Sequence, residues 1–179
     1  MSLRKIVSGA QTGVDMGALD AAIESSFAFG GYTPKGRLWE ADGQIPDRYF
    51  STNRSGSGLV ESSSSRYALR TRLNVKESDA TLLAKVGKMT PGSKLTFKQI
   101  RQYEKPYLTF DPFQPSQIPR VVRWIVLEEI EVLNVAGPRE SSRPGIQQQT
   151  QAFISSMLWH VYVHQKWGIR IWDRPKRTK

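Results

Sequence analysis

The chain has 179 residues, of which 39% are hydrophobic and 23% charged, a composition typical of a globular protein with one sizeable core. It contains no cysteine, which excludes disulfides, thiolate metal sites and cysteine nucleophiles. The sequence holds no apolar run near the ~18 residues of a membrane span, and its first residues lead into a strand-like run with no room for a signal peptide. We therefore expect a cytoplasmic protein that makes no use of a membrane.

The formal net charge is +10, and the charge is unevenly spread along the chain. Residues 1–50 carry five Lys or Arg against six Asp or Glu, whereas residues 166–179 carry six Lys or Arg against one Asp. A basic end of this kind can contact nucleic acid, but no nucleic-acid-binding motif accompanies it, so nucleic acid is not expected as the main partner. A basic pocket for an anionic small molecule would explain part of the same charge.

The first third of the chain combines one clear βα unit with irregular stretches. Residues 4–9 form a short β-branched run that predicts a strand, and residues 14–26 have the spacing of a helix. Residues 29–50 are rich in Gly and Pro and predict a long ordered loop, and the serine-rich residues 51–65 predict a mobile surface insertion.

From residue 66 onward, helical and strand-like patterns alternate. Helices are predicted over 66–79, 94–104, 120–131 and 146–167, and strands over 80–86, 105–111 and 132–137. Such alternation favours an α/β fold with a mostly parallel sheet and helices on both faces, a three-layer sandwich. We expect one domain over residues 1–167 and a basic C-terminal tail over 168–179.

Three predicted strands end in small, polar or basic residues: 9–13, 87–93 and 137–145. The carboxyl ends of parallel strands lie at one edge of the sheet, and ligands bind there near a reversal of the strand order. The three loops are therefore predicted to converge on one site.

The first of these loops, SGAQTGVD, places Gly9 and Gly13 before a predicted helix, where exposed N–H groups and the helix dipole attract anions. It matches neither the GxGxxG fingerprint nor a P-loop, so a purely structural turn is the alternative. Asp15 fits either a helix cap or a bond to a ligand hydroxyl. In the long loop, Lys35 and Arg37 offer two cations.

The other two loops have a similar character. Gly92 and Ser93 begin a predicted helix that carries Thr96 one turn in, with Ser93 as a candidate N-cap. Arg139 and Arg143 follow the last strand, and arginine suits bidentate recognition of phosphate or carboxylate.

The last two predicted helices suggest packing rather than catalysis. His160 and His164 stand four residues apart, but aromatic and apolar neighbours favour a packed or surface pair over a metal site. We assign no catalytic or metal-ligating residue. The long apolar helices, with Trp124, Trp159 and Trp167, predict self-association into a homo-oligomer.

Four stretches, SGAQTGVDMGALDAA, GGYTPKGR with the following EADGQIP, RTRLNVKESDATLL and LNVAGPRES, together resemble the putative molybdenum carrier family. That family in turn resembles a wider Rossmann-like group that includes lysine-decarboxylase-like phosphoribohydrolases and nucleotide-ligand sensors. The resemblance covers about residues 4–165. It implies a Rossmann-like fold and a phosphorylated, pterin-like or nucleotide-like ligand, with the molybdenum cofactor suggested by the family's name.

The resemblance implies a binding site for this anionic ligand that is built from four stretches of the chain. Its members are Gly9, Ala10, Gln11, Thr12, Gly13, Asp15, Lys35, Gly36, Arg37, Asp79, Gly137, Arg139, Glu140 and Ser141. The turn at Gly92, Ser93 and Thr96 is added to them from its own residue pattern.

The sequence departs from the family pattern at two turns. Ala10 replaces the second glycine of the first turn, and Pro91 removes one N–H from the turn before Gly92. The chain also lacks the glycine-rich run and catalytic glutamate of the phosphoribohydrolases, with Lys98 and Gln99 in that region.

We therefore expect a binding or carrier protein rather than an enzyme. The alternatives are a nucleotide-directed hydrolase, with Asp15, Asp79 or Glu140 as acid–base candidates, or a nucleotide-ligand sensor. Without cysteine, a molybdenum cofactor would be held through its pterin and phosphate.

Overall fold

The computed structural model describes residues 3–39, 43–50 and 57–172. They contain six strands and five α-helices, which alternate along the chain except that β3 follows β2 with no α-helix between them. The strands are β1 (Lys5–Val7), β2 (Phe29–Thr33), β3 (Gly58–Glu61), β4 (Ala80–Ala84), β5 (Tyr107–Phe110) and β6 (Val132–Ala136). The helices are α1 (Val14–Glu24), α2 (Tyr67–Lys76), α3 (Pro91–Gln102), α4 (Ile118–Leu127) and α5 (Ile146–Trp167).

All six strands pair in parallel, in the order β3-β2-β1-β6-β4-β5. The chain builds outward from β1 to β3, crosses to β4 and β5, and returns to insert β6 between β1 and β4. In register, Ile6 of β1 lies beside Phe29 on one side and Leu133 on the other. The predicted α/β fold is confirmed, and the strand order reverses around β6.

Helices cover both faces of the sheet. On one face α5 packs against α1 and α4, and on the other α2 packs against α3. β4 shows how the two cores are built, because Leu82 belongs to the larger core and Leu83 to the smaller one on the opposite face. Burial on both faces makes such a strand a continuous apolar run, and this made β4 easy to predict.

Two strands lie where the sequence predicted irregular structure. β2 occupies the start of the predicted loop 29–50. Its sequence, FGGYT, does not predict a strand, because glycine is a poor strand former. β3 lies within the predicted insertion 51–65 and pairs in parallel with β2 as an edge strand. Residues 51–56 of that insertion lie outside the described residues.

The end of the chain is partly attached to the domain. Gly168 ends α5, and the side chains of Ile171 and Trp172 pack against the larger core. Residues 173–179 of the predicted basic tail lie outside the described residues. None of the helices in the described part of the chain is long and apolar enough to cross a membrane.

Candidate functional site

A cleft of about 320 Å³ opens at the carboxyl ends of β1, β6 and β4, where the strand order reverses. This volume lies at the lower end of the range of about 300–1,000 Å³ seen for small-molecule sites. Its walls come from the β1–α1 turn, the first half of α2, the start of α3 and the loop after β6. The lining residues are Gln11, Asp15, Tyr67, Arg70, Thr71, Thr90, Pro91, Gly92, Leu95, Thr96, Ala136, Gly137, Arg139 and Ser142.

A buried ion pair crosses the cleft. Arg70 donates from Nη1 to Oδ2 of Asp15 at 3.0 Å, with side-chain exposures of 13% and 6%. Burial raises the pKa of the Asp15 carboxyl above its ordinary value, while Arg70 and the backbone N–H groups of Gln11 and Gly137 act to lower it. Asp15 is thus held by three donors in a site that disfavours its charge.

Gly9 makes room for Arg70. A Cβ added at Gly9 would lie 1.5 Å from Nη1 and 2.4 Å from Cζ of Arg70. The space left by the missing side chain is therefore occupied by the chain's own guanidinium group.

Two N–H groups at the start of α1 are already bonded to the loop after β6 and the start of α5. Gly13 donates to Oε1 of Gln147 at 3.3 Å, and Val14 donates to the carbonyl of Pro138 at 3.1 Å. Gly13 has a φ of +85°, and a Cβ there would lie 2.6 Å from the Pro138 carbonyl oxygen. This turn is consequently packed against the loop after β6, whereas its N–H groups were expected to face an anion.

Ala10 occupies the same turn with a φ of +56° and no exposure to solvent. This is the left-handed region that favours glycine over other residues. The replacement of the second family glycine by Ala10 therefore retains a conformation that suits glycine better.

The start of α3 opens on the cleft. Thr90 is its N-cap and accepts a hydrogen bond from the N–H of Ser93 at 3.2 Å, so Ser93 is not the cap that the sequence predicted. Pro91 stands in the first turn, where a helix leaves its N–H groups unbonded, so its missing N–H removes no hydrogen bond of the helix. Gly92 and Thr96 line the cleft, and the helix dipole favours negative charge beside them.

The loop after β6 supplies the opposite wall. The guanidinium of Arg139 lies 5.2 Å from the ring centroid of Tyr67, and both residues line the cleft. Glu140 has another role, because its carboxylate accepts hydrogen bonds from the N–H groups of Gly145 and Gln147 at the start of α5. Glu140 is therefore an N-terminal cap for α5.

One lining residue has an unsatisfied acceptor. Gln11 is 2% exposed and donates from Nε2 to the carbonyl of Leu38 at 3.1 Å. Its Oε1 has no hydrogen-bond partner among the described residues. A buried polar atom without a partner costs stability unless a ligand or water satisfies it.

Other residues predicted for the site lie elsewhere. Asp79 stands at the amino end of β4, at the opposite edge of the sheet, and accepts hydrogen bonds from the N–H groups of Glu131 and Val132 at 3.0 and 2.8 Å. Arg37 is ion-paired with Asp47 and Glu61 after β2. Gly9, Ala10, Thr12, Gly13, Lys35, Gly36, Arg37, Asp79, Ser93, Glu140 and Ser141 do not contribute to the cleft lining.

The structure thus brings together six of the predicted residues: Gln11, Asp15, Gly92, Thr96, Gly137 and Arg139. Sequence reasoning missed Tyr67, Arg70 and Thr71. Arg70 and Thr71 open the stretch RTRLNVKESDATLL that carries the family resemblance, but only Asp79 was assigned to the site from it. The described residues contain no group of three or more His, Cys, Asp or Glu that could hold a metal ion.

The chain is similar to known proteins over most of its length. Residues 6–158 match the model of the circularly permutated YpsA SLOG family. A crystal structure from Syntrophus aciditrophicus SB, described as a putative molybdenum carrier protein, is 39% identical with a TM-score of 0.76, over 88% of this chain and 96% of that one. A comparison with curated proteins gave no match. The predicted resemblance to the putative molybdenum carrier family is confirmed, and on the extent of the family match and this identity the chain belongs to the circularly permutated YpsA SLOG family.

Proposed function

We propose that this protein binds and carries a phosphorylated, planar ligand of the pterin or nucleotide type in the switch-point cleft. The observation that carries the proposal is the placing of Arg139 and the open start of α3, at Thr90 and Gly92, around one cavity. Asp15 largely neutralises Arg70, so the attraction for an anion comes mainly from Arg139 and the helix dipole.

The same cleft has features suited to a planar heterocycle. The ring of Tyr67 lines it and is held by the guanidinium of Arg139 on one side. An aromatic ring of this kind stacks with planar ligands, and the unpartnered Oε1 of Gln11 can accept from a ring N–H or amino group. Pterins and guanine both carry such donors, which supports a ligand with an anionic end and a nitrogen-rich ring.

Molybdenum cofactor is the cargo that we favour, because the structural neighbour is described as a putative molybdenum carrier protein. The residues present fit this cofactor, because the cleft offers donors for a phosphate and an acceptor for a pterin. The sequence has no thiolate and the described residues have no metal-binding cluster, so this chain would hold the cargo by its pterin and phosphate groups. A nucleotide would use the same groups, in which case the protein would act as a sensor.

The test is thermal unfolding of the purified full chain with GMP, ribose 5-phosphate, guanosine, pyrophosphate and molybdenum cofactor. A ligand at 100 times its Kd should add about 2.7 kcal/mol to the free energy of unfolding. Arg139→Ala should weaken binding at least tenfold, which is about 1.4 kcal/mol. Arg123→Ala, at an exposed position of α4, is the matched control. If no compound raises the Tm, the proposal is wrong.

A hydrolase is the second candidate, because the pKa of Asp15 is raised by burial within the cleft. The other two acid–base candidates are placed less favourably, with Asp79 at the opposite edge of the sheet and Glu140 capping α5. Release of free base from nucleoside monophosphates, abolished by Asp15→Asn, would favour the hydrolase over the carrier. We expect no release.

A further inference from the structure

The C-terminal half of α5 extends beyond the end of α1. α5 has 22 residues and is about 33 Å long, whereas α1 and α4, which flank it, have 11 and 10 residues and about half that length. Gln151 of α5 donates to Glu24, the last residue of α1, so the remaining turns of α5 lie past the end of α1. Met157, Leu158, Val161 and Val163 of these turns are buried, so only the outer side of the helix is exposed there, at the far end from the cleft.

The outer side of these turns carries an exposed aromatic stripe, formed by Trp159, Tyr162, Lys166 and Trp167. The three aromatic side chains are 57%, 44% and 54% exposed. Tyr162 lies 5.8 Å from Trp159 and 5.6 Å from Trp167 between ring centroids, and Lys166 donates from Nζ to the Tyr162 hydroxyl at 2.9 Å. The stripe is therefore an ordered cluster on one side of the helix, at the opposite edge of the sheet from the cleft.

We propose that the aromatic stripe is the contact between two copies of this chain, with the two α5 helices antiparallel. Trp159 and Lys166 are two helical turns apart, at equal distances in sequence from the midpoint between Tyr162 and Val163. A two-fold axis at that midpoint places Lys166 of each copy beside Trp159 of the other, a cation–π contact made twice. The stripe is in this sense complementary to itself.

The exposed area suits such a contact. Taking about 150–250 Å² as the full area of an aromatic side chain, the stripe exposes roughly 300 Å² of aromatic surface per copy. Two stripes supply roughly 600 Å², enough for the centre of an interface of the usual total size of about 1,200–2,000 Å².

The surrounding charges also favour a second copy. Lys166 lies in the last turn of α5 and Arg170 follows the helix, and in the antiparallel arrangement both extend along the other copy. On the helices that flank α5, Glu24 is the last residue of α1 and Glu128 directly follows α4. The basic end of each copy thus approaches the acidic helix ends of the other.

The experiment is sedimentation velocity on the full chain from about 1 to 100 μM. We expect a reversible monomer–dimer equilibrium, and a dimer Kd at least tenfold weaker for the Trp159→Ala/Trp167→Ala variant, with an unchanged circular dichroism spectrum. Phe113→Ala, which removes a 45%-exposed aromatic side chain outside the stripe, is the control and should leave the dimer Kd unchanged. A wild-type monomer at every concentration, or a dimer that tolerates the double substitution, would overturn the proposal.

The absence of native cysteine allows a direct test of the helix orientation. Tyr162→Cys, near the two-fold axis, should be cross-linked between copies by a short bismaleimide, and Gln148→Cys, exposed at the other end of α5, should not. Equal cross-linking of both variants contradicts the antiparallel pairing. The dimer should also persist in about 0.5 M NaCl, whereas binding of nucleic acid or anionic vesicles through this basic surface falls steeply with salt. A larger species that nuclease or salt abolishes would assign the stripe to a polyanion instead.

Discussion

Replacing Gly9 by alanine tests whether this glycine exists to accommodate Arg70. The φ of Gly9 lies outside the left-handed region, so the alanine backbone is unstrained and only the added methyl group matters. That Cβ would overlap the Arg70 guanidinium, at 1.5 Å from Nη1. The guanidinium must therefore leave its position, and its ion pair with Asp15 at 3.0 Å is broken.

The cost follows from the burial of the pair. Removing one partner of a buried ion pair typically destabilises a protein by about 3–5 kcal/mol, because a charge is left without compensation. Asp15 keeps the N–H groups of Gln11 and Gly137 and can also take up a proton, so we expect a loss of about 3 kcal/mol for Gly9→Ala at pH 8. The loss should become smaller as the pH falls, because burial raises the pKa of Asp15 and protonation of the unpaired carboxyl relieves the buried charge.

The assay is urea unfolding of wild type, Gly9→Ala, Arg70→Ala and the double variant, followed by circular dichroism. Each single variant should lose about 3 kcal/mol, and the double variant about the same rather than twice as much, since both lose one ion pair. If Gly9→Ala costs as much in the Arg70→Ala background as in wild type, the overlap with the guanidinium is not the cause and the reasoning fails.

Three further predictions concern stability. Burial and the bond to Asp20 raise the pKa of Tyr49 to about 12, so between pH 10 and 12 the unfolded chain loses a proton that the native state keeps. Stability should therefore fall on the order of 2–3 kcal/mol over that range, and this part of the fall should be absent in Tyr49→Phe, both measured by urea unfolding at each pH. Glu140→Ala removes the cap of α5 and should cost about 1–2 kcal/mol without ligand, whereas a loss of binding at unchanged stability would refute the capping role. Gly13→Ala should cost more than 3 kcal/mol in thermal unfolding, because its Cβ meets backbone atoms at 2.6 Å. Gly36→Ala, with a similar φ but nothing nearer than 3.8 Å, should cost only about 1 kcal/mol, and equal losses would show that φ alone decides.

The local pattern of the sequence was enough to predict most elements and the edge of the sheet that holds the cleft. α5 lies at residues 146–167 as predicted, because its apolar spacing and the glycines on both sides define its ends. The buried run of β4 and the polar loops after β1 and β6 were equally readable. From these, the convergence of Gln11, Gly92 and Arg139 followed, since parallel strands end at one edge.

The partners of each residue were decided only by the tertiary structure. A glycine turn before a helix has the same sequence pattern whether its N–H groups face an anion or bond to neighbouring segments of the protein. In the folded chain Gly13 packs against the loop after β6 and bonds to Gln147. The position of Arg70 in the space above Gly9 joins residues 61 positions apart, so no local pattern could indicate it.

The order of the strands in the sheet was likewise decided only by the tertiary structure. β6 is last in the chain but central in the sheet, between β1 and β4. If the β6–α5 unit preceded β1, the first strand of the chain would lie at the reversal of the sheet order, as in doubly wound folds. Hydrophobic period and turn residues determine which segments become strands and helices, because those signals are local in the sequence. Which strand becomes the centre, and hence which loops meet at the cleft, depends on contacts between distant segments that form only in the folded chain.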